Sequence, residues 1–546
     1  MEQFTEEEKA ILTPFCSNID RDVFALLNLP EVVKGALFSR YSRSDKPLRR
    51  LLLDEFIKNE KTGFSEIVSY AKSAGMNQIV ATQKAEEFYD RILLGFGDDS
   101  VAELGGAHVA CENVSNIASK ILEDSRLGIS PLEKSTRYVY FDKKTGGKYL
   151  YLEEPKIMAS RHAELYKETC DGLFESYAKW IEPLRKYLTE KFPRREESER
   201  AYNSSIKAKA CDILRGYLPA STLTNLGLFG NGRAFEYLLI KMYSSPLAEI
   251  NGTAETMHAE LSKAIPSFVK RAKGEFGGPT IKYLKETREC MQALADKAFE
   301  DIEPEATIQN NRDAKEVTLT SYDSDAEEKV IAASLYPHTA LPLQQVREKA
   351  NAMDSGERAK IISQYLGNRL NRRHKPGRGF EHAYYEFDVL MNYASYRDLH
   401  RHRVLTQQRQ RLTVKHGYDL PKELAEIGAD REFRERMQEA EEAYWKISKD
   451  LKDEAQYVVP FAYKIRYACC MNLRELYHLV ELRSTPHGHP DYRRVALKML
   501  DEVKKVQPSL VAGMKFANYS DAGLERLESE KMIDKRIEET KRKYGG

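Results

Sequence analysis

The chain has 546 residues, with 85 Lys and Arg against 84 Asp and Glu and 42% apolar residues. That length asks for two or three domains with ordinary cores. A net charge of +1 excludes wholesale binding to nucleic acid or to a membrane surface, which draws on an excess of positive charge.

Any basic site must therefore be local. The start, MEQFTEEEKA, is acidic and lacks an apolar h-region, and no apolar run reaches the roughly 20 residues a spanning helix needs. The expectation is a cytoplasmic protein with no membrane contact. Seven cysteines (Cys16, Cys111, Cys170, Cys211, Cys290, Cys469 and Cys470) are scattered without a CxxC pair, which fits reduced core thiols better than a disulfide framework or a zinc site.

In chain order, AHVACENV (Ala107 to Val114) alternates with period two and reads as a strand. RYVYFD at 137–142 is a second candidate strand. ERAYNSSIKAKACDILRGYLP, from Glu199, spaces apolar residues three and four apart and predicts a helix. KGEFGGPTIKYLKE (273–286) carries Gly, Pro and charge, and the polar stretch 300–316 follows, which puts a domain boundary near residue 300. In YYEFDVL (Tyr384 to Leu390), Tyr385, Phe387 and Val389 share a face opposite Glu386 and Asp388, a third strand. Segments 431–459 and 492–506 are helical by spacing, and a charged helix closes the chain from Glu525.

The two halves repeat one another in order. Glu103 leads through an alternating segment and a helix to a loop rich in hydroxyls and amides at Ser130, and Glu381 does the same as far as Thr406. Later, Asn231-Gly-Arg233 and Asn472-Leu-Arg474 each open an apolar helix. Three features in one order point to a diverged duplication, with copies over 1–300 and 301–546.

These residues resemble the flavin-dependent thymidylate synthases, the thymidylate synthase complementing proteins. Arg401-His402-Arg403 with Thr406, preceded by Glu381-His382, matches the family's Arg-His-Arg motif and the Glu-His ahead of it. In ISPLEKSTRY, Ser130, Glu133, Ser135, Arg137 and Tyr138 match its Ser-x-Arg-Tyr loop. LRGYLP (Leu214 to Pro219) matches its Ala-Arg-x-x-Leu-Pro element, and both Asn-x-Arg helices match its closing segment. Each copy keeps what the other lacks. Opposite Arg-His-Arg the first copy has Ser125-Arg126-Leu127, and opposite Ser-x-Arg-Tyr the second has Arg411-Leu412-Thr413-Val414. The arginine that follows the motif asparagine is Arg483 in the second copy, while Met242 stands there in the first.

The resemblance implies an α+β fold: two tandem copies of a flavin-dependent thymidylate synthase-like domain, helices around a small, mostly antiparallel sheet. It implies transfer of a one-carbon unit from methylenetetrahydrofolate to dUMP with FAD and NADPH, at composite sites drawn from both copies. A homodimer of fused chains would stand in for the family's tetramer. On this basis Arg401, His402, Arg403 and Arg483 are the catalytic candidates, and Glu133, Ser135, Arg137, Tyr138 and Asp398 meet the nucleotide. Glu381, His382, Thr406, Asn472 and Arg474 join the Arg-His-Arg segment on FAD, and no metal is expected. Arginine suits a nucleotide monophosphate because its planar fork offers two parallel hydrogen bonds. No cysteine follows a proline, in keeping with a flavin route rather than the cysteine-nucleophile route of other thymidylate synthases.

Departures from the motif motivate two other functions. Asp398 stands where the family has glutamine, and Arg409 and Arg411 where it has Glu and Ser. They suit a flavoenzyme of the same architecture acting on another pyrimidine or on RNA, or a non-catalytic nucleotide-binding paralogue. Plainer readings also exist. Arg397, Arg401 and Arg403 fit a solvated helical face paired with Glu381 or Asp398. His400 and His402 fit surface or hydrogen-bonded histidines, and His382 fits a core position or the cofactor's vicinity. HGHP (487–490) has two histidines but no third metal ligand. The basic loop 369–379 is a solvated turn, a phosphate clamp or an RNA contact. Arg40 and Arg43 beside Tyr41 belong to a charged helix or touch phosphate, and Gly230-x-Gly232 lacks a strand before it.

Overall fold

The computed structural model describes residues 3–42, 44–58, 101–125, 127–301, 314–521 and 523–545. Most of the polar stretch 300–316, together with Arg43 and Arg126, lies outside them. The chain falls into two compact units that do not follow its halves. Residues 1–114, 118–134 and 224–300 form one, and 115–117, 135–223 and 301–546 form the other. The boundary expected near 300 is one crossing among several, because segment 135–223 of the first half belongs to the second unit.

Apart from Ser115 and Leu223, strands β1 (Gly106–Ser115), β2 (Ile129–Glu133) and β3 (Leu223–Asn231) lie in the first unit, in the order β1–β3–β2. β2 and β3 are antiparallel, with Ile129 opposite Gly230 and Glu133 opposite Leu226. A Cβ on Gly230 would lie 2.2 Å from the Ile129 Cδ1, so this glycine serves close packing. β3 is the strand that the sequence did not reveal ahead of Gly232. The stretch 273–286, expected to be a break, lies almost wholly in a 25-residue helix, Gly274–Ala298. Pro279 forfeits one hydrogen bond near its start, and the helix formers behind it outweigh that loss.

The second unit holds β4 (Val317–Tyr322), β5 (Tyr384–Asn392), β6 (Leu405–Arg409) and β7 (Lys464–Asn472), antiparallel throughout in the order β4–β5–β7–β6. The order β5–β7–β6 repeats β1–β3–β2, with β4 added at an edge. β5 pairs with β7 along its whole length, Tyr384 opposite Asn472 and Asn392 opposite Lys464. The face expected from alternation is the core face. Tyr385, Phe387 and Val389 are fully buried, each stabilising the sheet by about 1.5–3 kcal/mol.

RYVYFD at 137–142 is not a strand: a turn over 136–138 runs into irregular backbone, because its polar groups are drawn to other partners described below. The helix expected over 431–459 ends at Ser448 and resumes as a 3-10 turn, Glu454–Val458. The closing charged helix is Leu527–Tyr544. The cysteines are free, and all but Cys290 and Cys470 are buried. Among the described residues no helix is long and apolar enough to cross a membrane.

Candidate functional site

Four arginines surround two carboxylates within the second unit. Arg137 comes from the 136–138 turn, where Ser135 Oγ accepts its backbone N–H at 3.2 Å. Its guanidinium donates to Asp212 Oδ1 at 2.9 Å and to Oδ2 at 2.5 Å. Asp212 sits on the buried face of the helix Glu199–Leu214. The next residue but two, Arg215, lies 3.7 Å from the same carboxylate, and its Nη2 donates to Ser395 Oγ at 3.3 Å. Its Nε is buried without a hydrogen-bond partner among the described residues.

Asp398 lies in the last turn of the helix Tyr393–Leu399, with Arg401 Nη1 3.8 Å from its carboxylate. Burial pushes this carboxyl up, but Arg401, Arg215, Arg483 and Arg137 outweigh burial and hold it at about 2. It is an anion at neutral pH. The four guanidinium groups exceed Asp212 and Asp398 by two positive charges, the charge that a phosphate monoester dianion would neutralise.

Behind this cluster, Arg483 at the end of the helix Leu473–Arg483 donates from Nε to His402 Nε2 at 2.9 Å. His402 Nδ1 lies 2.7 Å from Glu475 Oε1. Burial, then the charges of Arg483 and Lys375, keep His402 well below the usual histidine range. The imidazole is neutral: an arginine N–H on Nε2 requires its single proton on Nδ1, facing Glu475. Burial lifts Glu475 to about 7 against His478, Lys375, Arg474 and Arg483.

The structure brings Arg137, Asp398, Arg401, His402 and Arg483 together and gives the other expected residues different partners. The Arg-His-Arg segment lies on the connection from the helix to β6, not on the helix itself, and Arg403 and Thr406 are exposed. Arg474 pairs with Glu381 at 3.2 Å and donates to the Pro376 carbonyl at 2.8 Å, while His382 is exposed. Asn472 caps its helix by accepting the Glu475 N–H at 2.9 Å. Tyr138 lies beneath the Arg526 guanidinium, 5.0 Å from its ring centre. Glu133 falls in the first unit, its carboxylate taken up by Lys120 at 3.0 Å and Ser119 at 3.2 Å. Sequence reasoning left out Asp212 and Glu475, and it reached Arg215 only as part of LRGYLP, with no role given to it. An acid on the otherwise mostly apolar face of its helix was the available signal for Asp212.

Several plainer readings hold or fail by burial. Arg397 is not solvated: it is 4% exposed, with its guanidinium 4.8 Å from the Phe461 ring centre. His400 is likewise buried, at 3.5 Å from Arg409. His489 caps the helix Pro490–Val506, and His487 reaches the Glu525 carbonyl, so HGHP is structural. In the basic loop Arg369 is buried against Glu481 at 2.9 Å. Arg40 pairs with Glu55 at 2.7 Å. His402, Glu475 and His478 place three possible ligand atoms within 4.8 Å of one another. The charges of Arg372, Lys375, Arg474 and Arg483 around them oppose a cation there. On the Asp212 and His489 side lies a cavity of about 870 Å³, also lined by Phe192, Tyr418, Asp491 and Arg493, within the size range of small-molecule sites.

The family model of the thymidylate synthase complementing protein matches residues 56–267 and again 318–509. The chain belongs to this family. A Chlamydia muridarum relative named only as a UPF0159 protein is 43% identical over 96% of this chain and 98% of its own. A Thermoplasma acidophilum relative of the same designation is 35% identical over 91% and 97%. The flavin-dependent thymidylate synthase of Geobacter sulfurreducens is 26% identical over 36% of this chain and 84% of its own. Among solved structures, Helicobacter pylori flavin-dependent thymidylate synthase in complex with FAD and dUMP aligns over 37% of this chain and all of that one, at 18% identity and a TM-score of 0.28.

Proposed function

We propose that this protein is a flavin-dependent thymidylate synthase-type enzyme that methylates dUMP reductively, using methylenetetrahydrofolate as one-carbon donor and NADPH as hydride source, at a site built from both copies. The observation that carries the reading is the meeting of Arg137, from the copy that keeps Ser-x-Arg-Tyr, with Asp398, Arg401, His402 and Arg483, from the copy that keeps Arg-His-Arg. The name of a relative supports the chemistry at the family level, through the Geobacter flavin-dependent thymidylate synthase.

In this reading Arg137, Arg401 and Arg483 hold the nucleotide's phosphate or base, and Asp212 keeps the Arg137 fork aimed. Neutral His402 acts as an acceptor that orients Arg483, not as a proton donor. The donor set on the exposed face beside His402 fits FAD. Arg403 is exposed there, and Lys375, whose charge acts on His402, forms no ion pair among the described residues, which suits a pyrophosphate. Arg474 and Asn472 would flank it. Bound FAD would supply the electrons for the reductive step. Localisation in the cytoplasm and a homodimer of fused chains belong to the same proposal.

Asp398 favours a second reading. Its carboxylate has an ion pair at 3.8 Å but no hydrogen bond among the described residues, and a carboxylate accepts only. A base or sugar with an additional donor, as in another pyrimidine nucleotide or RNA, would complement it better than dUMP. The test is the visible absorbance of the purified protein after adding FAD and then dUMP. A flavin band that dUMP perturbs supports the synthase. Flavin unmoved by dUMP but perturbed by CMP or UMP supports the second reading, and a protein that takes up no flavin overturns both.

A further inference from the structure

Glu475 stands at the third position of the helix Leu473–Arg483, behind the capping residue Asn472. Asn-x-x-Glu is the sequence signature of a capping box, in which the glutamate reaches back to the N–H of the capping residue. Elsewhere this chain builds that box in full: Thr5 with Glu8 and Asp354 with Glu357 each show both halves. At Asn472 only one half forms. Asn472 accepts the Glu475 N–H, and the Glu475 carboxylate turns instead to His402 Nδ1 at 2.7 Å. The helix of the first copy, opened by Asn231, carries Ala234 at the matching position and has no such group.

The other face of the imidazole accepts from Arg483 Nε at 2.9 Å. Glu475, His402 and Arg483 thus form a line of hydrogen bonds running from the helix start to the arginine cluster. We infer that Glu475 is a positioning residue for the site: it selects the Nδ1–H tautomer of His402, leaving Nε2 as the acceptor that aims the Arg483 guanidinium at the nucleotide phosphate. With Nε2 protonated instead, two donors would face each other and Arg483 would swing away. The second part of this inference rests on the proposed nucleotide site; the first does not.

The experiment uses the full chain with histidine labelled by 15N, His402→Gln to assign the resonance, and the variants Glu475→Gln and Glu475→Ala. The nitrogen shifts of His402 report the tautomer without any ligand, and titration calorimetry with dUMP reports binding. Glu475→Gln keeps an acceptor oxygen and is expected to retain the Nδ1–H tautomer and dUMP affinity within about threefold. Glu475→Ala is expected to show mixed tautomers and to lose about tenfold or more in affinity. Circular dichroism and thermal midpoints within the wild-type range would show that both variants fold, and if Glu475→Ala fails to fold, Glu475→Leu takes its place. Wild-type His402 carrying its proton on Nε2, or an alanine variant with an unchanged tautomer, overturns the positioning role. An unchanged dUMP affinity alongside a changed tautomer overturns the aiming of Arg483. A wild-type protein that shows the expected tautomer but ignores dUMP sinks the proposed substrate instead.

Discussion

Arg483 gives one N–H to His402 and lies 5.7 Å from the Tyr492 ring centre, so only part of its fork is open to a ligand. Lysine at 483 would keep the charge and lose both the Nε donor and the planar fork. Arg483→Lys should therefore weaken dUMP binding by at least about tenfold in calorimetry, and an undiminished affinity would remove Arg483 from the nucleotide site. Away from the site, His416 donates from Nε2 to Gln410 Oε1 at 2.9 Å, and burial lowers it to about 4. A histidine whose folded value lies below its unfolded value of about 6.5 binds protons more readily when unfolded. Its contribution is complete above pH 6.5 and is lost as pH falls toward 4. His416→Gln should lose less thermal stability than wild type between neutral pH and the lower end of that window. Parallel losses in the two proteins would exclude His416 as a source of acid sensitivity.

At the scale of elements, two polar devices hold the sheets to their helices. Asn472 ends β7 and caps the helix behind it, and Asn231 does the same after β3, accepting the Ala234 N–H at 2.8 Å. Asn472→Ala should cost about 1 kcal/mol, read as a lower thermal midpoint. In the first unit Lys120, with its side chain 1% exposed, pairs with Glu133 and Glu123, both buried. Lys120→Met leaves carboxylates in the core without that partner and should cost about 3–5 kcal/mol, visible as poor soluble yield or a midpoint far below wild type. A near-neutral effect would mean the acids are neutral there. Legibility followed the same devices. β1 and β5 were readable because one face is apolar and the other polar. β2 and β6 were not, because ISPLE contains a proline and LTQQR is polar on both faces after its first residue. β3 and β7 run straight into apolar helices, and their alternation was absorbed into the helical pattern. Asn-x-Arg was legible as a motif, but its capping asparagine and its diverted glutamate needed coordinates, since capping and tautomer selection use the same residue types.

At the scale of the whole molecule, the two copies contribute different parts to the second unit. Arg137 and Asp212 come from the first copy and Arg483 from the second, all within one chain. Mixing Arg137→Ala chains with Arg483→Ala chains should therefore restore no dUMP binding, whatever the oligomeric state found by light scattering. Recovery toward a quarter of the wild-type level, from the one intact site in each mixed dimer, would show that the arginines of one site come from different chains.

The sequence by itself determined the family and the recurrence of its motifs in the two halves. Each is carried by residue type and spacing, which survive without coordinates. It also determined the buried face of β5, because alternation along a strand is a local property. Only the tertiary structure decided that Glu133 is spent on Lys120, that Arg137 is gripped by Asp212, and that His402 stands neutral between Glu475 and Arg483. Those outcomes depend on which charges burial forces together across long separations in the chain, and the free energy of a buried charge is set by its neighbours in space rather than by its neighbours in sequence.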